Sequence, residues 1–413
     1  MSAKETQYKP SEVYKVLQQL IEANDTIIKN GGMGVSASII GERGIGKSTI
    51  QKELAEDMGR QFVKVSLAQM TEPSDLIGYY VKEFQMVKGE PDAKTGEYEE
   101  SKWVFENLMK ASLVDGFKAT GTVRTTACPP SWVVGIKDKA IVCLDDYSRS
   151  NSLFSQAIME LVNSQEMIGW NLKGKGITIL LNENPDNGEY NVSSQDSAQT
   201  DRMAKLNMVW NAQDWAVRAE KIGLDERLIN FVLWKPELLE HKKAEGISAS
   251  NNVSPRMMDK FFGLVSTIDD FEKHLDKISM FGDITVGKNV TGELLNFINK
   301  RLDKLPSLED LIKNYDLPTA KSQLTMCCGD SVKDSANWKS ATAAILTTRM
   351  YNYMRFNHKS VTKDNIKQYL ELLLHNSFSV DQRYLMVKQT VSLSNQFATI
   401  LAGDVRFIRE MTK

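Results

Sequence analysis

The chain has 413 residues, 42% of them hydrophobic and 25% charged, which exceeds one usual core, excludes extended disorder and suits two or three packed units. A formal charge of −2 supplies no bulk pull toward nucleic acid or an anionic membrane, although a local basic patch could sit within that balance, so nucleic acid is left as an open but unfavoured partner. The opening residues lack the apolar stretch of a secretory signal and no later run is long enough to span a bilayer, so the expected location is the cytoplasm.

In chain order, "KPSEVYKVLQQLIEANDTIIKNGG" predicts an amphipathic helix closed by Gly31-Gly32, with Val13, Val16, Leu17 and Leu20 on one face. Strand-like runs follow at 35–40, 62–67, 140–144, 177–182 and 206–210, separated by helical patterns. That alternation predicts an α/β architecture with a parallel sheet covered on both faces.

The first strand runs into Gly41-Glu42-Arg43-Gly44-Ile45-Gly46-Lys47-Ser48, which fits G-x-x-x-x-G-K-[ST], and a helical pattern follows through Ile50, Leu54 and Met58. Glycines let backbone N–H groups curl around phosphate oxygens, and the helix N-terminus adds its positive dipole end. Gly41, Gly44, Ile45, Gly46, Lys47, Ser48 and Thr49 are therefore the expected nucleotide-binding residues, with Lys47 reaching the outer phosphates and Ser48 giving its hydroxyl to magnesium. The apolar run Ala140 to Leu144 ends in Asp145-Asp146. Asp145 is placed as the second magnesium partner and Asp146 where a carboxylate would polarise the attacking water; a side chain one methylene shorter than glutamate there leaves slow turnover open.

Residues 82–128 form a long charged, glycine-containing excursion, of the kind that is functional or flexible when it leaves a compact sheet. Residues 165–178 predict a hairpin with glycine and lysine at its turn. Trp103, Phe105 and Trp170 in these insertions could grip a partner, but packing anchors are the commoner use of aromatics. The chain is helix-like from Asn211 onward, without a chemical constellation beyond residue 268. Cys128, Cys143, Cys327 and Cys328 lack zinc or redox spacing and read as reduced thiols, and the four histidines are scattered, so no protein metal site is expected beyond a nucleotide-bound ion.

These motifs together resemble the MoxR-like branch of the AAA+ ATPases, most closely its phage-encoded members. "SLAQMTEPSDLIGYY" (66–80) is similar to that branch's strand and D-L-[IL]-G turn, and "LDDYSRSNSLFSQAIMELV" (144–162) to its L-D-E-I-N-R-A segment, with Asp146 in place of glutamate and Ser148 in place of asparagine. The resemblance implies a polar sensor at Asn184 before Pro185, and a finger toward a neighbour's γ-phosphate at Arg202. Thr200 and Met203 there replace the flanking Leu and Phe of the family's L-D-R-F motif around Asp201-Arg202. "NNVSPRMMDKFFGLV" (251–265) resembles the S-P-R second sensor, which makes Arg256 the contact to nucleotide in the same chain. Segments 211–240 and 284–312 are similar to the lid and post-lid regions of the phage members, and the 82–128 excursion would include the helix-2 insertion of this clade.

What the resemblance implies is a P-loop NTPase (AAA+) αβα core over 1–210, a helical lid over 211–268 and a further helical region over 269–413. It implies catalytic roles for Asp146, Asn184 and Arg202, with ATP and Mg2+ as cofactors. The expected activity is ATP hydrolysis by a ring, hexameric in this family, that remodels or activates a partner protein. That client is unidentified; one candidate class is a separate von Willebrand factor A domain protein, since no D-x-S-x-S motif is fused to this chain. Two other readings stay open: a nucleotide-gated assembly protein with little hydrolysis, and a DNA-associated motor.

Overall fold

The computed structural model describes residues 6–147, 152–185, 202–239, 253–333, 337–406 and 409. Two compact units, Met1–Val209 and Trp210–Lys413, make up the chain.

In the first unit, α1 (Pro10–Lys29) starts with proline in its first turn, where a missing N–H costs nothing. It ends as the two glycines require: Gly31 has φ +81°, its N–H donates to Ile28 O at 3.0 Å, and Gly32 N–H donates to Ile27 O at 2.9 Å. The buried face is Val13, Leu17, Ile21 and Asn24, so the expected Val16 and Leu20 lie at its half-buried flank. The sequence pattern missed the shift because the last member of the stripe is polar. Asn24 Nδ2 donates to Val35 O at 2.9 Å and to Thr178 Oγ1 at 3.3 Å, while Val35 N–H donates to Asn24 Oδ1 at 2.7 Å, which ties the helix to two strand starts.

The strands of this unit are β1 (Gln7–Tyr8), β2 (Ser36–Ile40), β3 (Gln61–Ser66), β4 (Tyr79–Lys88), β5 (Glu100–Phe105), β6 (Lys118–Cys128), β7 (Ala140–Asp145), β8 (Glu166–Met167), β9 (Trp170–Asn171), β10 (Thr178–Glu183) and β11 (Met203–Met208). Its helices after α1 are α2 (Lys47–Asp57), α3 (Pro73–Ile77), α4 (Glu106–Val114), α5 (Ser131–Val134) and α6 (Ser152–Ser164). The main sheet runs β1-β11-β2-β10-β7-β3 and every pairing in it is parallel. β10 and β7 lie inside it and are almost wholly buried, β7 apolar up to Asp145 and β10 apolar over Ile179, Leu180 and Leu181, as a sheet covered on both faces demands. On one face Val142, Leu144, Ile179 and Leu181 pack with Phe154, Ile158 and Leu161 of α6; α2 buries Ile50, Leu54 and Ala55 as part of the same unit. Each such fully buried aliphatic side chain contributes about 1.5–3 kcal/mol. The five expected strands are present, with ends shifted by up to three residues, and the short edge strand β1 is an addition.

The 82–128 excursion is a folded layer rather than an open loop. β4, β5 and β6 pair antiparallel in the order β5-β4-β6, and Met86, Val104, Phe117 and Met109 give the layer a small core of its own. Arg124 lies over the Trp103 ring at 4.4 Å, and Phe105 is exposed. Trp170 acts as a packing anchor: its Nε1–H donates to Ile77 O at 2.8 Å and its ring meets Trp132 edge-on at 5.5 Å. The expected hairpin forms as β8 and β9, but it turns at Ile168-Gly169 rather than at the glycine–lysine cluster. Gly169 adopts φ +89°, and an added Cβ there would lie 2.5 Å from Ala127 Cβ.

The second unit is helical: α7 (Ala212–Lys221), α8 (Glu226–Trp234), α9 (Pro255–Val265), α10 (Leu275–Thr285), α11 (Gly287–Asn299), α12 (Leu317–Cys328), α13 (Ser340–Asn357), α14 (Lys363–Leu373), α15 (Val380–Val391) and α16 (Asn395–Ala402). One hydrophobic cluster runs from Trp215 to Ile298 around Phe231, Phe262 and Phe297, and so continues past residue 268. A second, around Tyr369, Phe378 and Phe397, is built from α12 to α16. All four cysteines are free thiols, and no described helix is long and apolar enough to cross a membrane.

The two clusters are joined by a buried charge. Arg349 of α13, 3% exposed, donates from Nε to Glu220 Oε1 at 3.1 Å and from Nη1 to Asn230 Oδ1 at 3.0 Å, and its Nη2 lies 3.0 Å from Glu226 Oε2. Burial pushes the Glu220 carboxyl up to about 7 against the pull of Arg349. Removing one partner of such a pair leaves the other buried alone, so Arg349→Ala should destabilise the second unit by roughly 3–5 kcal/mol, and Arg349→Met with Glu220→Gln should restore most of that loss. Urea unfolding of the three proteins checks this; a double variant no better than Arg349→Ala would contradict it.

Candidate functional site

The parallel register places the chemically marked residues at one edge of the main sheet. Leu181 of β10 pairs with Ser38 of β2 and with Leu144 of β7, so Ile40, Asp145 and Glu183 end at neighbouring heights. The turn from β2 into α2 starts at Gly41, whose N–H donates to Glu183 O at 3.1 Å. A Cβ at Gly41 would sit 2.7 Å from Met208 O and 2.6 Å from Ile45 Cδ1, so only glycine fits between β10, β11 and the turn. Gly44 and Gly46 take φ +78° and +97°, and Gly46 is the left-handed residue from which α2 departs, its carbonyl accepting Ile50 N–H at 3.0 Å. Nothing lies within 4 Å of a Cβ built on Gly46, which leaves open space over the loop.

Lys47 folds back across that loop. Its Nζ donates to Gly41 O, to Glu42 O at 3.0 Å and to Asn184 Oδ1 at 3.2 Å. The phosphate-loop lysine and the expected polar sensor, separated by most of the first unit in sequence, thus meet directly. Ser48 and Thr49 begin α2, half-buried, where the first-turn N–H groups have no partner within the helix.

Asp145 is fixed by residues that sequence reasoning did not single out. Gln51 Nε2 donates to Asn182 Oδ1 at 2.7 Å, and Asn182 Nδ2 donates to Asp145 Oδ1 at 2.8 Å and to Cys143 Sγ at 3.3 Å. Lys64 of β3 places its Nζ 2.6 Å from Asp145 Oδ2. Burial pushes the Asp145 carboxyl up, but Lys64, Asn182 and the charge of Lys47 outweigh it and hold it below the usual carboxylate range, so it is ionised at neutral pH. Burial drives the Cys143 thiol upward and so keeps it protonated. Gln51 sits one turn into the helix after the phosphate loop and Asn182 two residues before Asn184. The available signal was a polar residue at each otherwise apolar position.

Asp146 has φ +61°. A left-handed backbone is costly for most side chains and least so for glycine, asparagine and aspartate. The turn is therefore better matched to aspartate than to the expected family's glutamate. Tyr147 follows, buried against α6, its hydroxyl pushed up to about 12 by burial.

Arg202 is exposed, just ahead of Met203, which pairs with Ser36 at the start of β2. Five residues of strand separate that level from Gly41, roughly 16 Å along the sheet, so Arg202 stands at the opposite edge from Lys47. Its neighbours in the expected motif, Thr200 and Asp201, lie outside the described residues, as does Ser148. Arg256 is exposed in the first turn of α9 in the second unit, where Ser254 Oγ caps the helix by accepting Met257 N–H at 3.3 Å.

The donor set suits a magnesium nucleotide. An ionised carboxylate and a serine hydroxyl are hard oxygen ligands, and the glycine loop, lysine and helix N-terminus suit phosphate.

Residues 36–203, under half of the chain, match the model of the AAA domain of the dynein-related subfamily. The parallel-sheet core with its helices has the AAA+ P-loop NTPase fold. Among solved structures the chain is similar to the RuvB Holliday junction branch migration motor of Thermotoga maritima, at 10% identity over 79% of this chain and 85% of that chain with a TM-score of 0.34. A point mutant of the same organism's RuvB matches at 10% identity over 76% and 81%, again with a TM-score of 0.34. Similarity that low bears on neither substrate nor partner. No curated protein matches the chain.

The left-handed turn at Asp146 yields a stability test. Asp146→Asn should leave the unfolding free energy within about 0.5 kcal/mol of wild type, whereas Asp146→Val should cost about 1–2 kcal/mol. Equal losses in both variants would contradict a left-handed residue here.

Proposed function

We propose that the chain is a MoxR-like AAA+ ATPase that converts ATP binding and hydrolysis into remodelling or activation of a partner protein, working as a ring, hexameric by the family resemblance. The observation that carries the nucleotide reading is the meeting of Lys47, Asn184 and the glycine loop at the sheet edge where Asp145 ends β7. Bound magnesium would supply charge neutralisation at the β- and γ-phosphates.

In this reading Gly44, Ile45, Gly46, Ser48 and Thr49 present backbone donors to the phosphates, while Gly41, its N–H held by Glu183 O, lets the turn pass close to β11. Lys47 exchanges its loop carbonyls for the outer phosphates, and Ser48 and Asp145 hold the metal. Asn184, already within reach of Lys47, orients the attacking water, with Asp146 as its base. The position of Arg202 at the far edge of the sheet from Lys47 supports a role on a neighbouring subunit's nucleotide rather than on its own. Arg256 acts from the helical lid. The client is a separate protein, and the antiparallel layer β4-β5-β6 is a surface on which it could be engaged. The cytoplasm is the proposed location.

A second reading, a nucleotide-gated assembly protein with slow turnover, is favoured by one observation: Asp146 is held in a left-handed turn with the shorter of the two acidic side chains.

Phosphate release from ATP separates these readings. Lys47→Ala should abolish release, by about 100-fold or more. Arg202→Ala should also abolish it while leaving nucleotide affinity within about threefold, and mixing Arg202→Ala with Lys47→Ala protein should restore part of the rate, because some interfaces regain a complete site. Wild-type turnover in Lys47→Ala would sink the phosphate-loop reading, and no restoration on mixing would sink the finger. ATP-dependent assembly by wild type without release would favour the gated reading.

A further inference from the structure

Both oxygens of the Asp145 carboxylate are engaged, and by groups of different kinds. Asn182 Nδ2 holds Oδ1 at 2.8 Å, and Asn182 is itself buried and fixed by Gln51 at 2.7 Å, so this partner is neutral and stationary. The partner of Oδ2 is an ammonium group: Lys64 Nζ at 2.6 Å.

Lys64 reaches Asp145 because β3 is the outermost strand beside β7, with Lys64 paired to Cys143 and Ser66 to Asp145, which puts Lys64 and Asp145 on one face two positions apart. The Lys64 side chain is 45% exposed while that of Asp145 is 19% exposed. A long, flexible side chain with that much access to water can swing away; the carboxylate cannot.

With Oδ1 accepting from Asn182, Oδ2 is the oxygen left for a hydrated magnesium ion, and an ammonium group held there repels that ion and competes with its water ligands. We propose that Lys64 is a metal-competing residue: its ammonium group holds the Asp145 oxygen that a magnesium ion would use and must swing away for the metal to bind, so that it sets how much magnesium the site needs. The inference rests on the nucleotide reading above and adds a residue that this reading does not assign. Lys64 is a positioning residue: its effect runs through Asp145, and it touches no phosphate.

The test separates metal affinity from nucleotide affinity. A slowly hydrolysed ATP analogue is titrated into wild type, Lys64→Met and Lys64→Arg in excess chelator, and then Mn2+, a spectroscopic stand-in for Mg2+, is titrated into each protein–analogue complex and followed by electron paramagnetic resonance. Lys64→Met should bind Mn2+ about tenfold more tightly than wild type, with metal-free analogue affinity within about twofold, and Lys64→Arg should stay near wild type because it keeps the competing charge. Unchanged Mn2+ affinity in Lys64→Met overturns the proposal. An equal gain in Lys64→Arg also overturns it, since the cause would then be packing. Weakened metal-free binding in Lys64→Met does so as well, by making Lys64 a phosphate contact. Wild type that binds no analogue with or without metal removes the nucleotide reading itself, an outcome distinct from the other three.

Discussion

Strand β10 lies between β2 and β7 and pairs parallel to both, and the site depends on that constraint. Because all three strands run the same way, their C-terminal ends emerge together, and the groups they carry converge without any having to reach far. Gly41 N–H is held by the carbonyl of Glu183; Asn182 grips Asp145; Asn184 meets Lys47. A one-residue slip of β10 would turn Asn182 to the opposite face, leave the Asp145 carboxylate without its neutral partner and bury an amide in the apolar layer under α6.

The same arrangement explains why so many polar groups are tolerated in the middle of a buried sheet. Gln51, Asn182, Asp145 and Lys64 form one connected chain, in which the buried Asn182 amide is satisfied from both sides and the Asp145 carboxylate at both oxygens. On the opposite face Ser38 donates to the buried Glu183 carboxylate in the same manner. These bonds fix where the Asp145 carboxylate points, and the apolar cluster with α6 packs the other face of the same strands.

The sequence made the local parts of this legible. The phosphate loop is contiguous, its glycines answer to backbone angles that glycine alone accepts cheaply, and the apolar run ending at Asp145 marks a buried strand by composition. Asn184 came only from the resemblance, since an asparagine before a proline is by itself an ordinary turn. What stayed hidden depends on pairing between distant segments. Lys64 looks like any solvated strand lysine until β3 is placed beside β7, and Gln51, though polar on the apolar face of its helix, has no visible partner until β10 is beside it. The β4-β5-β6 layer was obscured for a different reason: its core of Met86, Val104 and Phe117 is too small to impose a clear period on a charged stretch. The left-handed turn at Asp146 has no signature beyond the residue type, which the family pattern marked as a departure and the backbone angle makes intelligible.

Everything proposed for this chain requires that the β2–α2 turn, with Lys47 and Asp145 beside it, bind a magnesium nucleotide. Calorimetric titration of the wild-type chain with a slowly hydrolysed ATP analogue, with and without magnesium, tests it most directly. Saturable binding is expected in both conditions, tighter with the metal, with a metal gain that disappears in Asp145→Asn. Absence of binding with and without magnesium, or a metal gain that survives Asp145→Asn, would contradict it.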